Sequence, residues 1–143
     1  MASNISNKKI PVNFIISNIR IIDSTPPPVE FIDFAREDLT YSISFKFATD
    51  INLNLIGVTI DYSFMHKGEI IHAISTLNEY KIIKPKITEL EKNTEAFEKI
   101  LSHLAALSLG HSRGLQSTII DNTAIKSMYI PTIAPSRLKA LIK

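Results

Sequence analysis

Tyr41, Ile43, Phe45 and Phe47 alternate with Ser42, Ser44, Lys46 and Ala48, and this period of two is the cleanest strand signal in the chain. A second alternation runs through 53–65, where Val58, Ile60, Tyr62 and Phe64 are set against Thr59, Asp61, Ser63 and Met65. Gly57 offers a bulge or bend before it. His66-Lys67-Gly68-Glu69 reads as a tight turn, and 70–83 as the returning strand, stopped at Lys84-Pro85. An earlier strand spans 12–22, with Val12, Phe14 and Ile16 on one face and Ile15, Ile19 and Ile21 making the other partly apolar. Pro26-Pro27-Pro28 ends it as an extended connector, and no flanking pattern marks those prolines as a ligand for a partner domain. Residues 29–39 mix acids with Phe31, Ile32 and Phe34 and read as a loop pinned by its aromatics. The pattern predicts three consecutive antiparallel strands with the first strand beside them.

The period then changes. Thr88-x-x-Glu91 forms a capping box, with Thr94 a rival N-cap, ahead of a helix over 94–109. Phe97, Ile100, Leu101, Leu104, Ala105 and Leu107 fall in one arc, opposite Glu95, Glu98, Lys99, Ser102 and His103. That arc covers roughly 160°, wider than the ~100° stripe of a helix lying on one surface, and predicts apolar neighbours on two sides. Gly110 breaks the run, and a second helix over 112–121 buries Leu115, Ile119 and Ile120. Residues 128–135 are an extended, proline-containing crossover, after which Ser136 caps a short helix over 137–142. The expected fold is α+β: a four-stranded antiparallel sheet with two main helices packed on one face. The other face keeps Met65, Ile71, Leu77 and Ile56, and oligomerisation is the economical way to cover it.

Composition narrows the function classes. A chain of 143 residues, 45% apolar and 21% charged, is most simply one domain with a flexible polar segment at 1–11. Its longest uninterrupted apolar run is 104–107, so neither a signal peptide nor membrane insertion is expected, and with no cysteine a cytoplasmic setting fits. A net charge of +2 is too small to argue for nucleic acid. Arg113, Lys126, Arg137, Lys139 and Lys143 nevertheless face a lone acid, Asp121, beyond residue 111. This basic end reads as a solvated helix face or as a surface for an acidic partner.

Candidate chemistry is thin. His66 and His72 stand across a hairpin with no carboxylate at a ligand interval, and two ligands make a poor zinc site. His111, Arg113 and Asp121 form no nucleophile–base pair, and no serine sits in a strand-turn-helix elbow. No catalytic residue, metal or cofactor is expected. Arg113, at the predicted helix junction, pairs with a carboxylate or holds backbone carbonyls near Gly110.

The order of sheet, helix, break, second helix, crossover and last helix resembles the SecB-type protein-export chaperone superfamily. Val12-Asn13-Phe14-Ile15-Ile16-Ser17-Asn18-Ile19 is similar to that family's opening strand, followed by a proline-bearing loop. The family's junction Asn-Ile-Leu-Phe-Pro-Tyr-Ala-Arg meets Ala106-Leu107-Ser108-Leu109-Gly110-His111-Ser112-Arg113; the arginine matches, while Leu109, Gly110 and His111 replace Phe, Pro and Tyr. Ile133-Ala134-Pro135 and Leu138 match the family's Ala-Pro stretch and its later apolar residue. The resemblance implies an ATP-independent chaperone, a homotetramer built as a dimer of dimers, that binds unfolded client polypeptide for export or for a dedicated client such as an antitoxin. It implies a peptide-binding groove at Leu109, Leu115, Ile119, Tyr129, Ile130 and Ile133, and an oligomer interface at Phe97, Ile100, Leu101, Leu104 and Leu107. The family docks on the translocation ATPase through an acidic sheet; here Asp50, Asp61, Glu69 and Glu79 are offset by Lys46, Lys67 and Lys81, which argues against that docking. The alternative is a non-enzymatic adaptor of the same fold that binds one folded partner.

Overall fold

Four antiparallel strands form one sheet in the order β1-β4-β3-β2, with β1 spanning Asn13–Thr25, β2 Leu39–Asp50, β3 Leu55–His66 and β4 Glu69–Lys84. Two helices with described bounds follow, α1 over Ile87–Glu91 and α2 over Thr94–Ile120, and Arg137 and Leu138 are helical as well. The computed structural model describes residues 11–25, 39–120, 130–134 and 137–138. The predicted proline connector, most of the loop over 29–39, Tyr129 and the Ser136 cap lie outside the described residues.

The period-two reading of the sheet holds. Tyr41, Ile43, Phe45 and Phe47 pair with Phe64, Tyr62, Ile60 and Val58, so all four point to the face that carries the buried side chains of β3. Lys67 and Gly68 connect β3 to β4 with φ of 51° and 82°, two successive left-handed residues of the kind a two-residue hairpin requires. Residue 57 carries no bulge: pairing with β2 runs unbroken through Ala48 and Gly57. Ile56 therefore stays in phase with Val58 and Ile60 and is fully buried on the helix side, not on the outer face where the sequence pattern suggested it. The register shifts fall elsewhere: in the β1–β4 pairing between Asn13 and Phe14, Ile16 and Asn18, and Ile21 and Asp23, and in the β3–β4 pairing between Phe64 and Met65. Each extra residue shifts the alternation by one, so Phe14, Ile19 and Ile21 share a side although their parity differs. Ile15, Ile16 and Ile22 remain about half exposed, at 53%, 50% and 48%.

The predicted break at Gly110 does not exist. α2 continues through it for 27 residues, and Gly110 faces open space with nothing within 4 Å of where a Cβ would stand. A single exposed glycine costs a helix about 1 kcal/mol, which tertiary packing on both sides offsets. The two helices are thus a five-residue turn and one long element, rather than helices over 94–109 and 112–121. Capping differs too. Asn93, not Thr94, caps α2, its Oδ1 accepting the Ala96 N–H at 3.1 Å. α1 lacks a side-chain cap from Lys86, and Asn54 supplies one from the β2–β3 turn, accepting the Ile87 N–H at 2.9 Å.

α2 runs antiparallel to β4 on the face that buries Ile56, Val58, Ile60, Tyr62, Ile74, Tyr80 and Ile82. Its first half is apolar toward the sheet, with Ile100, Leu104 and Ala105 buried. Its second half buries Ser108, Ser112 and Gln116, against the polar even positions of β4.

Candidate functional site

β4 presents His72, Thr76 and Asn78 with Tyr80 beneath the C-terminal half of α2, all buried. Each meets a polar partner. The Tyr80 hydroxyl lies 2.7 Å from Ser108 Oγ, and Thr76 Oγ1 lies 2.6 Å from Ser112 Oγ. Asn78 Nδ2 donates to the Val58 carbonyl at 3.3 Å, leaving its Oδ1 to accept from His111 Nδ1 at 3.1 Å. Gln116 Nε2 lies 3.0 Å from His72 Nε2. Among the described residues no buried side-chain nitrogen or oxygen lacks a partner. Such a seam locks the rotation and register of the helix, because any slip leaves several desolvated groups unpaired. Burial pushes the hydroxyls of Tyr62 and Tyr80 above the ordinary tyrosine range, with Tyr41 adding to the first and the Ser108 bond opposing the second. Burial also holds His72 and His111 below the usual imidazole value, the Thr25 carbonyl opposing it at His72.

From its C-terminal half, α2 holds the crossover. Gln116 Oε1 accepts the Ile130 N–H at 2.8 Å, and Arg113 Nη1 donates to Thr132 Oγ1 at 3.0 Å. Residues 130–134 have no regular structure, and the Leu138 N–H donates to the Ala134 carbonyl at 2.9 Å. Between this strip and β2 lies a groove of about 510 Å³, lined by Tyr41, Ser42, Ile43, Thr132, Ile133, Ala134 and Arg137. Tyr41 is 46% exposed there, its ring 6.1 Å from that of the buried Tyr62. β2 has a ladder partner, β3, on one side only among the described residues. The groove thus combines apolar side chains, a guanidinium and a strand edge.

Of the residues assigned to a peptide groove from the sequence, Ile133 lines it. Leu109 and Ile130 are buried in the core, at 6% and 1% exposure, while Leu115 and Ile119 are half-buried on α2. Tyr41 and Ile43 were legible as strand residues but not as groove walls, since nothing in a period-two pattern tells which strand the helix leaves uncovered. Of the residues assigned to an oligomer interface, Ile100 and Leu104 are buried within the chain's own core, and Phe97, Leu101 and Leu107 are half-buried. Among the described residues Arg113 pairs with no carboxylate, and it holds no helix junction; it anchors the crossover. Among the described residues no group of three or more His, Cys, Asp or Glu side chains comes together. Among the described residues no helix is long and apolar enough to cross a membrane.

No family model matches the chain in sequence, and no curated protein does either. Among solved structures the chain is similar to a Mycobacterium tuberculosis SecB-like chaperone in complex with a ChAD peptide from the HigA1 antitoxin. The TM-score is 0.44 at 15% sequence identity, over 85% of this chain and 89% of that chain.

Proposed function

We propose that this chain is an ATP-independent, SecB-like chaperone that holds extended, apolar polypeptide in the groove between β2 and the crossover. The observation that carries this reading is the composition of the groove's walls: Tyr41, Ile43, Ile133 and Ala134 stand beside the side of β2 that has no ladder partner among the described residues. An extended chain satisfies its own backbone along such an edge and places alternate side chains into the groove, the mode of strand addition. Each buried Leu or Phe contributes roughly 1.5–3 kcal/mol, so a few contacts hold a chain without reading its sequence closely. Arg137 in the lining, with Arg113 bonded to Thr132 of the same wall, favours segments that carry an acidic residue beside the apolar ones. The client is unfolded or partly folded polypeptide, for export or from a dedicated partner, held in the cytoplasm without nucleotide or catalysis.

We further propose that the protein works as a homotetramer. Phe97, Leu101 and Leu107, half-buried in the protomer, supply the helix contribution to its interface. Four copies of 16.0 kDa make about 64 kDa, which light scattering coupled to gel filtration reads directly.

The test of function is suppression of aggregation of an unrelated, slowly refolding protein at stoichiometric tetramer with no nucleotide. Tyr41→Asp and Ile133→Asp abolish it while leaving oligomer size unchanged. If the wild type neither suppresses aggregation nor binds unfolded chains, the reading fails. The modest size of the groove favours one alternative, an adaptor that seats a single motif of one folded partner; binding to that partner's folded form alone identifies it.

A further inference from the structure

Three side-chain bonds connect the crossover to β1 through the core, and their direction is dictated at both ends. The Ile130 backbone N–H can only donate, and it donates to Gln116 Oε1 at 2.8 Å. The Thr25 backbone carbonyl can only accept, and it accepts from His72 Nδ1 at 2.8 Å. Between them Gln116 Nε2 donates to His72 Nε2 at 3.0 Å, so His72 is neutral, with its proton on Nδ1 and its lone pair facing the amide. His72 and Gln116 are both fully buried, and Ile130 is 1% exposed.

We propose that His72 is a proton-operated latch on the crossover: protonation at Nε2 releases Ile130 and with it the wall of the groove formed by Thr132, Ile133 and Ala134. A proton on Nε2 sets two donors against each other across the His72–Gln116 contact. Rotating the Gln116 amide by half a turn restores that bond, but then turns the NH₂ toward the Ile130 N–H, again donor to donor. The His72–Thr25 bond survives protonation, because Nδ1 still donates. The conflict therefore passes along the relay and lands on the crossover. Two to four residues beyond Ile130, the segment is held by the exposed Arg113–Thr132 bond and by packing of Ile133.

The surroundings make the device specific. Tyr62 of β3 packs its ring 6.4 Å from that of His72, and Tyr41 of β2 lies behind it. Arg113 is the cation on α2 nearest in sequence to Gln116, and it is turned to Thr132. Asp23 of β1 and Asp61 of β3 pair with Ser75 and so lie on the opposite face, with Lys46 of β2 bridged to Asp61; His66, Lys67 and Glu69 sit at the hairpin end. Among the described residues no carboxylate bonds to the His72 ring to hold a proton there. Burial keeps the ring neutral above its ordinary value of 6.5 and sets the release on the acidic side of it. His111 differs: its Nδ1 donates to Asn78, and a proton added at Nε2 disturbs none of the seam's bonds. The latch stands whether or not the groove takes peptide, because it is read at the Ile130 amide.

The test is amide hydrogen exchange by NMR on the full chain between pH 8 and pH 5, expressed as protection relative to the intrinsic rate at each pH, with the His72 ring nitrogens titrated in the same samples. We expect protection at Ile130 to fall at least tenfold more than that of the Ile82 amide, which is bonded to the Asn54 carbonyl, with a midpoint on the His72 titration. His72→Gln removes the pH dependence, Gln116→Met leaves Ile130 unprotected at every pH, and His111→Gln changes nothing. Flat protection at Ile130 through the His72 titration overturns the proposal. So does an equal loss at Ile130 and Ile82, which is global unfolding, or a response that survives His72→Gln. Should the position-72 variant not fold, the wild-type midpoints and the His111→Gln comparison decide alone.

Discussion

The guanidinium of Arg113 on α2 donates from Nη1 to the hydroxyl of Thr132, 3.0 Å away on the crossover. The contact spans 19 residues of sequence and joins an exposed helix position to the groove wall. Arg113→Met keeps the stem of the side chain and removes the fork. We expect thermal stability to change little, because the site is exposed, and affinity for an unfolded peptide to fall about two- to fivefold as the wall loosens. Fluorescence anisotropy beside a melting curve separates the two effects; an equal loss in both places Arg113 in the core's stability instead.

Gly110→Ala tests the continuity of α2. Because the helix passes straight through this exposed position and nothing stands within 4 Å of the new Cβ, the substitution stabilises by about 0.5–1 kcal/mol. Urea unfolding measures it. A destabilised variant puts a left-handed turn, and hence a helix break, at residue 110.

Asn54 adopts φ 53° and uses both ends of its side chain, donating from Nδ2 to the Ile82 carbonyl and accepting the Ile87 N–H. Asn54→Ala leaves the left-handed backbone without its amide and two buried-end groups unpaired, a loss of about 2–3 kcal/mol. Asn54→Gly relieves the backbone but not the bonds and should recover roughly 1 kcal/mol of it. Equal costs for the two variants refute the backbone contribution.

Leu104 is fully buried in the core of the single chain. Leu104→Ala opens a cavity under α2 and costs about 2–5 kcal/mol in chemical unfolding. If Leu104 served chiefly as an interface residue, the variant would dissociate into stable protomers; we expect folding and assembly to weaken together.

Stability should fall on acidification through the neutral pair His72 and His111. A histidine whose folded-state pKa is lowered takes its proton more readily once unfolded. The stability it contributes is complete above the ordinary value of 6.5 and is lost as the pH drops through the lower folded values. Urea midpoints at pH 8, 6.5 and 5 measure the slope, and His72→Gln should flatten part of it. A midpoint that rises toward pH 5 contradicts the buried, neutral histidines.

Alternation and turn chemistry were enough to place the strands. Every second residue from Tyr41 to Phe47 and from Val58 to Phe64 is large and apolar, and Lys67-Gly68 admits the left-handed turn between the antiparallel partners. The first half of α2 was equally legible, since Ile100, Leu104 and Ala105 announce their buried side by chemistry alone. Its second half was not. Ser108, Ser112 and Gln116 continue the same spacing of four residues, but polar side chains at that spacing read as solvent unless a matching polar row is known to lie opposite. That row, His72, Thr76, Asn78 and Tyr80, reads within β4 as polar positions at the period of a strand. Neither half is stable buried without the other, and only the packing of α2 on β4 joins them. The same packing leaves β2 for the crossover to cover, and so turns Tyr41 and Ile43 into groove walls. Local periodicity reports which side of an element is apolar; which neighbour desolvates its polar positions is a long-range contact, and it was the tertiary structure that decided it.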